Sequence, residues 1–117
     1  MDFVNPTQAV QAYPELAGVA ALRDAGWRFM PLRRDDMLAG LVGFRPAGRY
    51  AVDALYVFDR HDCRAVRLVG DAPGARGGVV WEYHGPLAAA IHELRGLPAP
   101  GNPRAPRLVI RQGPALP

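Results

Sequence analysis

Tyr50-Ala51-Val52-Asp53-Ala54-Leu55-Tyr56-Val57-Phe58-Asp59 is the stretch on which the fold of this chain turns. Residues two apart in an extended chain share a face, so Val52, Ala54, Tyr56 and Phe58 point one way and Asp53, Leu55 and Val57 the other. β-branched and aromatic residues fill both sets. The flanking segments, Arg45-Pro46-Ala47-Gly48-Arg49 and Asp59-Arg60-His61-Asp62, carry turn residues. The reading is a strand bounded by two turns.

The same pattern repeats on either side of it. Trp27 to Leu32 puts Trp27 and Phe29 on one face and ends in the polar turn Arg33-Arg34-Asp35-Asp36; Met37 to Phe44 alternates Leu38, Gly40, Val42 and Phe44 against Ala39, Leu41 and Gly43. Cys63 to Gly70 gives a fourth strand and Val79 to His84 a fifth, joined by a longer, mobile loop from Gly70 to Gly78. The connections are too short for helical crossovers, which predicts an antiparallel meander.

Helices are expected at both ends of this block. Asn5 and Pro6 form an N-cap and first-turn pair for a short helix through about Ala12, and Pro14 forces a second start. That second helix runs to about Ala25 with Leu16, Val19, Ala20 and Arg23 on one face, and Gly26 stands where a left-handed cap is common. Gly85 and Pro86 open a last helix in which Leu87, Ile91 and Leu94 recur at helical spacing, closed by Gly96. The predicted architecture is a two-layer α+β domain over residues 1–97, followed by a Pro-rich tail over 98–117. Within the tail, Arg107-Leu108-Val109-Ile110-Arg111 is a candidate edge strand.

Composition narrows the chemistry. The 117 residues include no serine and no lysine, with Thr7 the only threonine and Cys63 the only cysteine. An activated seryl oxygen, a Schiff-base amine and a phosphate-binding Lys-Ser/Thr pair are therefore excluded. All 14 basic residues are arginine, as a GC-rich bacterial genome would favour. No membrane-spanning run and no signal-peptide pattern appear, and a lone cysteine suits a reducing compartment, so a soluble cytoplasmic protein is expected. No cofactor motif is present. The net charge of +3 is matched by the tail, where Arg104, Arg107 and Arg111 stand with no acidic residue and no aromatic residue to stack on bases.

Four groups are candidate sites. Glu82 and His84 share a strand face and His92 follows on the last helix, so these three are the candidate acid-base or metal site of a small enzyme. His61 and Cys63 lie beside Asp59 and Asp62, with Arg60 and Arg64 near enough to lower a thiol pKa; the alternative is a buried cysteine after a turn whose aspartates cap the backbone. The Gly70 to Gly78 loop is rich in glycine but joins strand to strand, which suits a flexible hairpin loop better than a phosphate cradle. Arg104, Arg107 and Arg111 could grip an acidic protein surface or, as a third reading, weakly bind nucleic acid.

The leading expectation comes from the sheet itself. Most strand aromatics are assigned to the face packed on the helices, and Leu41, Leu55 and Val57 to the other. A face that apolar needs a cover. The expected function is therefore a non-enzymatic protein-binding or homo-oligomerising module, a homodimer or a complex with a protein partner, using Leu41, Leu55 and Val57 or the tail arginines.

Overall fold

The computed structural model describes residues 16–112. Helix α1 (Leu16–Asp24) leads into five strands, β1 (Arg28–Arg34), β2 (Met37–Gly48), β3 (Ala51–Asp59), β4 (Asp62–Val69) and β5 (Gly78–Gly85), and helix α2 (Leu87–Gly96) follows. The strands form one sheet in the order β1-β2-β3-β4-β5 with every neighbouring pair antiparallel. The chain is thus an α+β protein built on a meander, as its alternation and short turns predict. The short helix expected over residues 5–12 lies outside the described residues.

Three of the four strand connections are two-residue loops: Asp35-Asp36, Arg49-Tyr50 and Arg60-His61. Asp35 and Asp36 both adopt positive φ, 52° and 62°, the conformation that a tight hairpin of matching twist demands. Strand β2 runs past the expected turn at Arg45 to Arg49. Its Pro46 is tolerated because β1 begins pairing only at Arg28 opposite Phe44, so no strand on that side asks Pro46 for a donor. Pro31 is likewise confined to β1, an edge of the sheet.

Both described helices lie on the same face of the sheet. Leu22 from α1, Leu87, Ala90, Ile91 and Leu94 from α2, and Leu55, Cys63 and Ala65 from the strands form one buried cluster with Trp27. Gly18 lets the helices close on one another: a Cβ there would sit 2.8 Å from the Ile91 Cδ1. Gly40, at φ 153°, does the same for β2 and β3, since a Cβ would fall 2.1 Å from the Val57 carbonyl oxygen.

This arrangement reverses the expected faces. Leu55 is 0% exposed in the core beneath the helices. Val57 packs against the same core, and Leu41 pairs directly with Val57 on that side. Leu55, assigned to a second face that needed a cover, is therefore an interior residue, and Leu41 and Val57 are part-buried on the same helix side. The aromatics divide as well. Trp27, Phe29, Trp81 and Tyr83 belong to the helix side, whereas Phe44 and Tyr56 point the other way, in register with Ala54 and Val42. On that second face Val42, Ala54 and Val66 are buried, each flanked in register by at least one larger side chain. The Tyr56 hydroxyl is buried there without a hydrogen-bond partner among the described residues, and burial raises its pKa.

The Pro-rich tail follows the sheet. Ala105 is buried, Ile110 donates to the Val79 carbonyl at 2.7 Å and Val79 donates to Arg111 at 2.8 Å. Only a single antiparallel bridge, Val79 with Arg111, forms where the candidate edge strand over 107–111 was expected.

Candidate functional site

Glu82 and His84 do share a strand face, but His92 does not join them. Glu82 stands opposite Val66 and His84 opposite Arg64, on the side of the sheet away from the Ala65–Tyr83 row that meets the helices. His92 is exposed on α2, whose buried residues Leu87, Ala90, Ile91 and Leu94 face the other side of the sheet. The sheet separates them. Each strand residue also has another partner: His84 Nε2 lies 2.8 Å from Asp62 Oδ1, and Arg111 Nε donates to Glu82 Oε2 at 2.6 Å. Among the described residues no three His, Cys, Asp or Glu side chains gather closely enough to hold a metal ion.

Cys63 sits at the start of β4 facing the core, fully buried, with its thiol donating to the Asp59 carbonyl at 3.2 Å. Burial raises its pKa to about 11, and the negative charges of Asp62 and Asp59 push in the same direction. His61 turns away into solvent, where its ring accepts from Arg60 Nε, while its backbone N–H donates to Asp59 Oδ1 at 2.6 Å. The cluster is thus a turn capped by an aspartate beside a suppressed thiol. Since the folded-state pKa lies above the ordinary value, the neutral thiol favours the fold below pH 9, and that contribution is lost as pH rises from about 9 to 11. Native protein should therefore resist a thiol-directed disulfide reagent at pH 8 and react promptly once unfolded. Prompt reaction of the native state would contradict this burial.

The glycine-rich loop is ordered by its own contacts. Ala72 and Ala75 exchange two backbone hydrogen bonds of 2.9 Å around Gly74, and Gly77 N donates to Asp71 Oδ1 at 2.7 Å. Part of the loop is thus a closed turn. Of the tail arginines, Arg111 is committed to Glu82 and to the backbone pairing with Val79; Arg104 and Arg107 are exposed.

Three features escaped the sequence. Across β2, β3 and β4 runs a row of charges on the helix side: Arg45 opposite Asp53 opposite Arg67. Arg67 grips Asp53 with two bonds, Nε to Oδ1 at 2.7 Å and Nη2 to Oδ2 at 3.0 Å, and its Nη1 donates to the Pro98 carbonyl at 2.5 Å. The pair is buried and clamps the chain where it leaves α2. Arg45 adds a longer contact to Asp53, 3.4 Å, and lies over the Trp27 ring. The second feature is a cleft of about 220 Å3 beside that row, where the C-terminal ends of both helices meet Trp27 and Arg45.

The third is the end of the β1–β2 hairpin. Met37 is 71% exposed, Leu38 67% and, on the adjoining end of β3, Phe58 41%. Leu32, Arg33, Arg34, Ala39 and Phe58 enclose a cleft of about 310 Å3 there. Among the described residues, the remaining large exposed apolar side chains are Tyr50 at the β2–β3 turn and Leu108 and Ile110 in the tail. Among the described residues no helix is long and apolar enough to cross a membrane. No family model matches the sequence, and no curated protein or solved structure is significantly similar to it.

Proposed function

We propose that the chain is a non-enzymatic module that associates with a second copy of itself through the end of the β1–β2 hairpin. The observation that carries this reading is the exposure of Met37 and Leu38 at the hairpin end, beside a cleft that Phe58 lines, in a chain whose other described strand residues of that kind are mostly at least half-buried. Charge favours self-association. The hairpin tip runs Arg33-Arg34-Asp35-Asp36, all exposed, so a twofold axis sets each copy's arginines against the other's aspartates. A contact of this kind is self-complementary.

The magnitudes set its strength. Six such side chains, three from each copy, contribute on the order of 10 kcal/mol on burial, against ~4–15 kcal/mol of lost translational and rotational freedom. Association is thus expected to be reversible and micromolar or weaker. Light scattering over a concentration series should show the mass rising toward a dimer, and Leu38→Asp should hold it at the monomer without altering the circular dichroism spectrum. A Leu38→Asp protein that still dimerises would move the interface elsewhere on the molecule. A wild-type monomer at every concentration, with an equally inert Leu38→Asp, would remove self-association as a function.

A further inference from the structure

Two buried donors around the cleft at the helix ends have no acceptor among the described residues. The Trp27 indole Nε1 and the Arg45 Nε are both buried without a hydrogen-bond partner, although Trp27 itself is only 3% exposed. Buried donors are almost always paired in folded proteins, so two orphans lining one cleft call for an explanation. Arg45 spends its Nη2 on Asp53, and the two short bonds from Arg67 already hold both oxygens of that carboxylate. Asp53 therefore has little left to offer the Arg45 Nε.

The rest of the wall is aliphatic, with Leu22, Leu94 and Leu97 among its residues, and Arg95 stands at its edge. Among the described residues no carboxylate lines it. The C-terminal ends of α1 and α2 both lie here, and their dipoles oppose an anion. Arg95, in the last turn of α2, lines the cleft and offsets part of that charge, whereas Arg23 stands beside Asp24 at the end of α1. Among the described residues, the charged side chains that line the cleft itself are Arg45 and Arg95. The balance at the cleft is positive.

We infer that this cleft binds a small organic carboxylate, its apolar body among the leucines and its oxygens accepting from Trp27 Nε1 and the Arg45 guanidinium. Charge-assisted bonds of this type are the stronger class of hydrogen bond, and an apolar pocket with a few convergent donors is the usual form of a small-molecule site. At about 220 Å3 the cleft lies below the ~300–1,000 Å3 range of sites for drug-sized ligands. That size suits an acid no larger than benzoate and is too small for a nucleotide.

The Trp27 indole N–H is a built-in reporter, distinguished from that of Trp81 by the signal lost in Trp27→Phe. Titration with benzoate, followed by proton–nitrogen correlation spectra, should shift the Trp27 indole resonance saturably and leave that of Trp81 in place. Arg45→Met and the exposed-site variant Arg95→Ala should each weaken the apparent affinity by about tenfold, the usual scale for losing one charged partner. Benzyl alcohol, equal in shape but uncharged, should bind at least that much more weakly than benzoate. Sulfate, which has charge but no apolar body, should be the weaker anion. An unmoved Trp27 resonance would overturn the assignment. So would equal binding of benzoate and benzyl alcohol, or affinity unchanged in a folded Arg95→Ala together with Arg45→Met. The readout is independent of oligomeric state.

Discussion

Asp53→Ala is expected to lower the stability of the fold by about 3–5 kcal/mol, because removing one partner of a buried pair leaves the other charge uncompensated. Arg67 cannot turn to water: it is about 1% exposed and held on its far side by the Pro98 carbonyl. In a domain whose total stability is ~5–15 kcal/mol, the loss corresponds to a fall in Tm of roughly 15–25 °C. Replacing both residues, Asp53→Val with Arg67→Met, should recover most of the loss, as apolar substitutes for buried ion pairs often do. One defect should persist in that double variant. With no guanidinium to hold Pro98, backbone amides after α2 should exchange faster than in wild type. An Asp53→Ala protein within about 1 kcal/mol of wild type would contradict the buried clamp.

Leu55→Asp should abolish folding, and the milder Leu55→Ala should cost about 2–5 kcal/mol, the usual range for truncating a buried leucine. The side chain lies at 0% exposure among Leu22, Leu87 and Ile91, so an aspartate there would bury a charge with no partner. Leu38→Asp, at the exposed hairpin end, should leave thermal stability within about 0.5 kcal/mol of wild type. Chemical denaturation of the three variants measures the contrast. Equal, small effects at positions 38 and 55 would mean that the two faces of the sheet are assigned the wrong way round.

Strand positions were legible because local rules control them. Alternating apolar residues and turn residues bound each strand to within a few positions, and Gly26 and Gly96 mark the helix ends. Which face meets the helices was not legible, since Val52, Ala54 and Tyr56 are as apolar as Leu55 and Val57. Placing most strand aromatics against the helices put Asp53, Leu55 and Val57 on the other side. Its partner could not be read from the turns, because a register shift between Val57 and Asp59 moves the β3–β4 pairing by one residue. Counting straight back from the Asp59–Asp62 pair would set Asp53 opposite Leu68; the shift sets it opposite Arg67. The ion pair that results is buried.

The grouping of His92 with Glu82 and His84 came apart for a related reason. The spacing of Glu82 and His84 fixes a shared face correctly. It says nothing of where α2 crosses, and α2 carries His92 over the opposite face. Exposure at Met37 and Leu38 was equally hidden, because it depends on the hairpin projecting past its neighbours. The orphan donors of Trp27 and Arg45 depend on contacts that only folding brings together.

Self-association through the hairpin tip is tested most directly by exchanging its charges. Arg33→Glu with Arg34→Glu makes the tip wholly acidic, and Asp35→Arg with Asp36→Arg makes it wholly basic. Positive φ at the aspartates adds about 1–2 kcal/mol of strain per residue to the second variant, so a Tm measurement on each must accompany the assay. In sedimentation velocity, each variant alone should remain monomeric where wild type dimerises, and an equimolar mixture should form a one-to-one heterodimer. Two folded variants that stay monomeric when mixed, or that each dimerise as readily as wild type, would contradict the account.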